Sequence, residues 1–269
     1  MKSSSEMIRV EGAAAGYGGE VVWQGADFTI NRGEFVAIIG PNGSGKTTLF
    51  RMLLGLQPPL QGKVSVFGRA PHRGDSRIGY VPQRHSLDQE TNFQAFDLVR
   101  LGYSGHRWGS IPLLSWATEW DATWSALEAV GAEGLATKSI SSMSGGELQR
   151  IFLAEALVSQ PDLLLLDEPL ASLDIRRARE LVKLVDGLAH ERGLAALLVS
   201  HDINPLIDCL DKVIYVANGR MAAGTPKEVL STERLTALYG IQVEVLRDSR
   251  GNIVIVGGEN SHPDEHQEV

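Results

Sequence analysis

The chain has 269 residues and a mass of 29.1 kDa, enough for one large domain or two small ones. With 43% hydrophobic and 22% charged residues it can bury a sizeable core, which excludes disorder throughout. A net charge of −8 excludes an overall basic surface of the kind that neutralises nucleic-acid phosphates, and the single cysteine, Cys209, excludes an internal disulfide and points to a reducing compartment. No run approaches the roughly 20 apolar residues that span a bilayer. The first ten residues lack an apolar stretch of signal-peptide length, so membrane association is expected only through a partner.

Residues 35–39 are a short apolar run ending in a glycine-rich loop. A helix is predicted from Lys46 to about Leu54, closed by Gly55. Residues 63–67 and 78–81 read as strands separated by Gly and Pro turn signals. From about 84 to 145 the pattern changes. Trp108, Trp116, Trp120 and Trp124 fall here, and Trp116, Trp120, Trp124, Leu127 and Val130 recur three or four apart. That spacing predicts a mostly helical insertion, with Trp116, Trp120 and Trp124 as its own core. Residues 163–166 and 195–199 are continuously apolar, as strands buried on both faces are. Residues 212–216, then Asn218-Gly219, then Met221 and Ala222 read as a hairpin with a tight primed turn. Strands interleaved with helices predict an α/β fold with a mostly parallel core sheet. The residues from about Gly257 are polar and acidic and read as a loose tail in which His262 and His266 are solvated.

The loop Gly40-Pro41-Asn42-Gly43-Ser44-Gly45-Lys46-Thr47 fits G-x-x-x-x-G-K-[ST] between a predicted strand and a predicted helix. Glycines let the backbone fold tightly enough to aim N–H groups at phosphate oxygens, and the helix N-terminus adds partial positive charge. Lys46 can reach terminal phosphates, and the Thr47 hydroxyl can ligate Mg²⁺. The bland alternative is a glycine-rich turn capping a helix.

Asp167 and Glu168 end the apolar run 163–166 at the carboxyl edge of a buried strand, where open α/β sheets bind ligands. Asp167 is expected to hold Mg²⁺, directly or through water, and Glu168 to polarise an attacking water. Gln83 and His201 also follow predicted strands. In one parallel sheet both would collect on the same edge as the loop and the carboxylates. Ser144-Gly145-Gly146-Glu147 reads as a capping box whose serine and glycine N–H groups also make a second anion site at a helix N-terminus.

Together these residues resemble the ATP-binding subunit of an ABC transporter, over about residues 8–245. Tyr17 stands about twenty residues before the phosphate loop, where that family stacks an aromatic on adenine; a strand-end aromatic is the alternative. The loop extends to Thr48. Gln83 matches the Q-loop glutamine, and Met143 to Glu147 resembles the signature, with Met for Leu and Glu for Gln. LLLLDE resembles Walker B, Leu170 to Asp174 the D-loop, and His201 the switch histidine. The resemblance implies a P-loop NTPase core with an N-terminal antiparallel β part, one ATPase domain over residues 1–245 containing the helical insertion, and an extension over 246–269. It implies ATP and Mg²⁺ as cofactors, with Gln83 and Thr47 beside the metal. It also implies an ATP-dependent homodimer in which Ser144, Gly145, Gly146 and Asp174 of one chain meet the nucleotide of the other. The partners implied are integral-membrane permease subunits and, indirectly, a solute-binding protein, not nucleic acid. The location implied is cytoplasmic, peripheral on the inner face of the cell membrane through the permease.

The segments Ala95 to Gly102 and Tyr103 to Trp108 are similar to ATPases of manganese, zinc and iron-chelate importers. Manganese or zinc import is the expectation, with iron-siderophore or haem import as the alternative. A soluble ABC ATPase without a permease remains the alternative of another class; the signature disfavours a plain P-loop kinase. The surface around Gln83 to Asp88 and Ala95 to Trp108 is expected to receive a permease helix through Phe96, Tyr103 and Trp108.

Overall fold

The computed structural model describes residues 5–18, 20–83, 93–104, 115–171, 173–249 and 251–257. In chain order the strands are β1 (Glu6–Tyr17), β2 (Glu20–Asn31), β3 (Phe35–Ile39), β4 (Gln61–Val66), β5 (Ile78–Val81), β6 (Leu163–Asp167), β7 (Ala195–Ser200), β8 (Lys212–Ala217), β9 (Arg220–Gly224), β10 (Glu244–Arg247) and β11 (Ile253–Val256). The α-helices are α1 (Lys46–Leu53), α2 (Ala95–Ser104), α3 (Ser115–Ala129), α4 (Gly145–Leu157), α5 (Ile175–Arg192), α6 (Pro226–Val229) and α7 (Thr232–Tyr239). No helix among the described residues is long and apolar enough to cross a membrane.

The core sheet has the order β5-β6-β7-β3-β8-β9. All its pairings are parallel except the last, β8 with β9, so the carboxyl ends of β5, β6, β7, β3 and β8 share one edge. Period-2 alternation splits its strands between two cores. Phe35, Ala37, Ile39, Leu164 and Leu166 face one side with α4 and α5. Val36, Ile38, Leu163 and Leu165 face the other, with α1 and the antiparallel sheet β2-β1-β4. Both faces being covered explains why β3, β6 and β7 are apolar throughout rather than alternating. The β8–β9 hairpin turns at Asn218 and Gly219 with φ of 48° and 69°, the left-handed pair a type I′ turn requires.

The insertion is helical, as its pattern predicts, but its packing reverses the expectation for the aromatics. On α3 the buried stripe is Glu119, Thr123, Ala126 and Leu127, while Trp116, Trp120 and Trp124 are 59%, 49% and 37% exposed. Phe96, expected on the surface, is the buried one, 8% exposed beneath Trp120 and Trp124 at ring-centroid distances of 4.5 and 5.4 Å. Both stripes of α3 have helical spacing, so periodicity alone could not choose between them. Tyr103 packs partly buried against the same core. Trp108 and residues 84–88 lie outside the described residues, as does the tail from 258 onward.

The chain after α7 adds a hairpin, β10–β11, that sequence patterning did not signal. Ile253 is buried in the main core, and the Asn204 amide grips its backbone from both sides. Asn204 Nδ2 donates to the Ile253 carbonyl at 3.1 Å, and the Ile253 N–H donates to Asn204 Oδ1 at 2.7 Å.

Candidate functional site

The phosphate loop joins β3 to α1, as the strand–loop–helix pattern requires. Gly45 has φ of 94°, and a Cβ there would sit 2.5 Å from Val22 Cγ1 and 2.6 Å from Trp23 Cδ1. Only glycine satisfies both the left-handed backbone and that close approach. Trp23, fully buried, donates from Nε1 to the Gly45 carbonyl at 3.2 Å, so the β1–β2 layer braces the loop from outside. Lys46 is 5% exposed, and its ammonium donates to the carbonyls of Gly40 and Pro41, each at 2.8 Å. Burial lowers the Lys46 pKa, while the charges of Glu168 and Asp167 oppose that shift. The ammonium is thus partly stripped of water and held at the loop's mouth, where a polyphosphate would compensate it.

Asp167 is the last residue of β6 and is 3% exposed. Burial and the adjacent Glu168 raise its pKa, against hydrogen bonds from Thr47 and Tyr80 and the charge of Lys46. Tyr80, on neighbouring β5, is itself pushed up to about 12 by burial and by Asp167. Asp167 Oδ1 is buried without a hydrogen-bond partner, and so is Ser44 Oγ. An orphaned carboxylate oxygen beside a threonine hydroxyl is a hard-oxygen donor set of the kind Mg²⁺ takes, so these residues fit that ion.

Glu168 turns away from the strand in the left-handed region, φ 50°, its N–H held by the Val199 carbonyl at 3.1 Å. For a β-unbranched carboxylate this conformation is uncommon and aims the side chain out of the sheet edge. Glu168 Oε2 accepts from Gln83 Nε2 at 2.7 Å. A cleft of about 510 Å³ is lined by Tyr17, Asn42, Gly43, Lys46, Thr47, Thr48, Gln83 and Glu168, among others. Of the expected residues, Tyr17, Asn42, Gly43, Gly45 to Thr48, Gln83 and Glu168 converge on the cleft, whereas Gly40, Pro41, Ser44 and Asp167 do not line it. Tyr17 is 46% exposed on the cleft rim, and its hydroxyl accepts from Arg51 at 2.6 Å.

His201 directly follows β7, which lies between β6 and β3 and places Ser200 opposite Ile39. It stands on the same edge, exposed, but does not line the cleft. Ser144, Gly145, Gly146 and Asp174 are elsewhere. Ser144 caps α4 in a complete capping box. Its side chain accepts from the Glu147 N–H, and the Glu147 carboxylate accepts from the Ser144 N–H at 2.8 Å. Glu147 also accepts two bonds from Lys138, at 2.8 and 2.9 Å, and this holds its carboxyl down at about 2. Asp174 caps α5, accepting from the Arg177 N–H at 2.9 Å. Ser144, Gly146, Leu173 and Arg177 line a separate cleft of about 280 Å³. Within one chain the two halves do not meet.

Sequence reasoning missed Trp23, Tyr80 and Arg51. Tyr80 was accessible in principle, since it shares the Ile78 side of β5 and pairs with Leu165, two residues before Asp167 on the carboxylate strand. Trp23 and Arg51 reach the site through the antiparallel layer and α1, and no local pattern signals that.

The sequence profile of the ABC transporter family matches residues 23–171. A zinc import ATP-binding protein, ZnuC, of Pseudomonas entomophila (strain L48) is 36% identical over 237 residues, 88% of this chain and 85% of that one. The manganese transport system ATP-binding protein MntB of Bacillus subtilis (strain 168) is 34% identical over 243 residues, 90% and 95% of the two chains. Among solved structures, an inward-facing putative metal-chelate type ABC transporter superposes with a TM-score of 0.78 at 27% identity, covering 94% of this chain and 98% of that one. With its phosphate loop, carboxylate edge and capped signature helix in family order, the chain belongs to the ABC transporter family as an ATP-binding subunit.

Proposed function

We propose that this chain hydrolyses ATP to drive import of manganese or zinc ions through integral-membrane permease subunits, which a solute-binding protein supplies. The observation that carries the catalytic part is the Gln83–Glu168 contact of 2.7 Å at the mouth of the phosphate-loop cleft. The metal part rests on similarity to the zinc and manganese import subunits over most of both chains. The likeness to a metal-chelate transporter favours a chelated metal as the second reading.

In this reading the loop from Gly40 to Thr48 cradles the phosphates with its N–H groups, and Lys46 neutralises the terminal ones. Tyr17 offers a ring face to the adenine. Thr47, Asp167 and Gln83 would hold Mg²⁺, which would supply Lewis-acid stabilisation of phosphate charge. Glu168 orients the attacking water and takes its proton, while the Gln83 amide fixes the carboxylate's rotamer. His201, beside the loop at the end of β7, approaches the terminal phosphate once nucleotide is bound. Ser144, Gly145, Gly146 and Asp174 act on the nucleotide of a second copy, in keeping with the separation of the two clefts in one chain. A homodimer closed by two ATP molecules then opens on hydrolysis, because the contacts that favour the closed state are lost with the terminal phosphate. The subunit is accordingly cytoplasmic and peripheral on the membrane.

The test is Glu168→Gln, which removes charge and preserves shape. ATP affinity should stay within a few-fold while turnover falls by about a hundredfold or more. Near-normal turnover would reject the role of Glu168. Uptake of radiolabelled zinc and manganese in cells carrying this variant should fall in parallel with turnover; unchanged uptake of both metals would reject the transport reading.

A further inference from the structure

Tyr17 sits where its own strand gives its side chain little support. It ends β1 beside the turn at Gly18, where φ is 58°, and its ring stands 46% exposed on the rim of the nucleotide cleft. An aromatic side chain left loose there would sample several rotamers, and a base stacking on it would have to freeze one of them. Two contacts from α1 and the segment after it supply the restraint. Arg51 Nη1 donates to the Tyr17 hydroxyl at 2.6 Å, and Gln57 Nε2 donates to the Gly16 carbonyl at 2.8 Å. Gly16 is packed so closely that a Cβ there would meet the Glu20 carbonyl and come within 2.8 Å of Leu60 Cδ1. The backbone before the ring and the far end of the ring are both tied to the same side of the fold.

The helix places Arg51 for this contact. It lies four residues after Thr47, one turn on, so the two share a face of α1. Thr47 lines the loop end of the cleft, and Arg51 reaches the aromatic rim. The guanidinium carbon is 5.8 Å from the ring centroid. Stacked carbons meet at about 3.5–4.0 Å, so the guanidinium holds the ring by its hydroxyl and does not stack on a face that a base would use. A cationic donor on the phenol oxygen also makes a charge-assisted bond, stronger than a neutral pair.

We propose that Arg51 is a positioning residue for nucleotide binding: its guanidinium pins the Tyr17 hydroxyl, so that the ring is already in its stacking pose when ATP arrives. The inference rests on the reading of Tyr17 as the adenine platform and adds the residue that orders it. Helix α1 then serves both ends of the nucleotide, its first turn through Lys46 and Thr47 and its last through Arg51. In this role Arg51 acts on the nucleotide only through Tyr17.

The experiment measures ATP affinity by calorimetry, and kcat and KM for ATP hydrolysis, on variants of the full chain. Arg51→Ala should weaken ATP binding and raise KM by about two- to tenfold, the effect of having to immobilise one more side chain on binding. Its kcat should stay within about twofold of wild type. Tyr17→Phe keeps the ring and loses the hydroxyl, so it should match Arg51→Ala. The double variant should be no worse than either single one, because both remove the same bond. Arg51→Lys should retain most of the affinity, since an ammonium can still donate. Arg51 is exposed on a helix and alanine favours helix, so the variant should fold. Tyr17→Ala checks the underlying reading and should cost at least as much as Arg51→Ala. Affinity unchanged in Arg51→Ala but lowered in Tyr17→Ala overturns the inference and leaves adenine stacking in place. Additive losses in the double variant overturn it too. So does a fall in kcat, which would mean that Arg51 acts through α1 on Lys46 and Thr47. If Tyr17→Ala itself leaves ATP affinity unchanged, the adenine reading fails and the inference fails with it.

Discussion

Glu155 offers a quantitative check on how the signature helix is packed. It sits near the end of α4, against Gly102 of α2, where a Cβ on Gly102 would come within 2.6 Å of the Glu155 carbonyl and 2.9 Å of its Cγ. Burial alone pushes its carboxyl from 4.5 up to about 7. The folded chain therefore holds a proton that the unfolded chain releases at lower pH. Between pH 4.5 and 7 the native state binds more protons than the unfolded one, so this group's contribution to stability falls as pH rises. Above pH 7 the cost is complete. A gap of roughly two and a half decades in proton affinity, at about 1.4 kcal/mol per decade, gives about 3 kcal/mol. Glu155→Gln removes the titration. Its stability relative to wild type should be nearly constant below pH 5 and rise by up to about 3 kcal/mol by pH 8. Urea unfolding at both pH values measures this. Tryptophan fluorescence is the natural probe, because Trp116, Trp120 and Trp124 lie on α3, which packs against α4. Other titrating groups cancel in the difference between the two proteins. A difference that is the same at pH 5 and pH 8 would refute the burial argument.

Gly45→Ala should lower ATP affinity at least about tenfold, since the new methyl must displace Val22 or Trp23 and the loop with it; titration with a fluorescent nucleotide reads this, and unchanged affinity would mean the loop is not braced as described. Phe96→Ala should cost about 3–5 kcal/mol in urea unfolding, as a buried aromatic truncation does, whereas Trp116→Ala, on an exposed side chain, should cost about 1 kcal/mol or less. Equal costs would restore the surface role first expected of Phe96. Asn204→Ala should speed hydrogen exchange of the β10–β11 amides by about tenfold, because the two bonds to Ile253 are lost; unchanged exchange would mean the hairpin is held by its apolar contacts alone.

Much of the core and of the site was legible because both are written locally. Continuous apolar runs mark β3, β6 and β7 because helices or the antiparallel layer cover both faces of these strands, and a polar residue closing such a run falls on the ligand edge by topology. That logic places Asp167, Glu168, Gln83 and His201 on one edge. It could not say which of them touch. The Gln83–Glu168 bond depends on the left-handed turn at Glu168, and His201's position outside the cleft depends on the path of the chain after β7. The antiparallel layer was less legible. β1 and β2 are twelve-residue strands with register shifts at several points, so their alternation is broken and Trp23's place under the loop is hidden.

The insertion shows why periodicity fails where chemistry is ambiguous. On α3 one face carries three tryptophans and the other carries Glu119 and Thr123, and hydrophobicity alone assigns the tryptophans to the core. The opposite holds because Phe96 of α2 already fills the space between the helices, leaving Trp120 and Trp124 to lie over its ring rather than beside it. Thr123 can be buried there at little cost, since its hydroxyl donates to the Glu119 carbonyl one turn back at 2.7 Å. Thr123 and Ala126, both small, are buried on the face of α3 turned to the core, and the large indoles lie on the exposed face. The result is an exposed aromatic stripe beside a buried polar one, an arrangement visible only once the neighbours that fill the core are known.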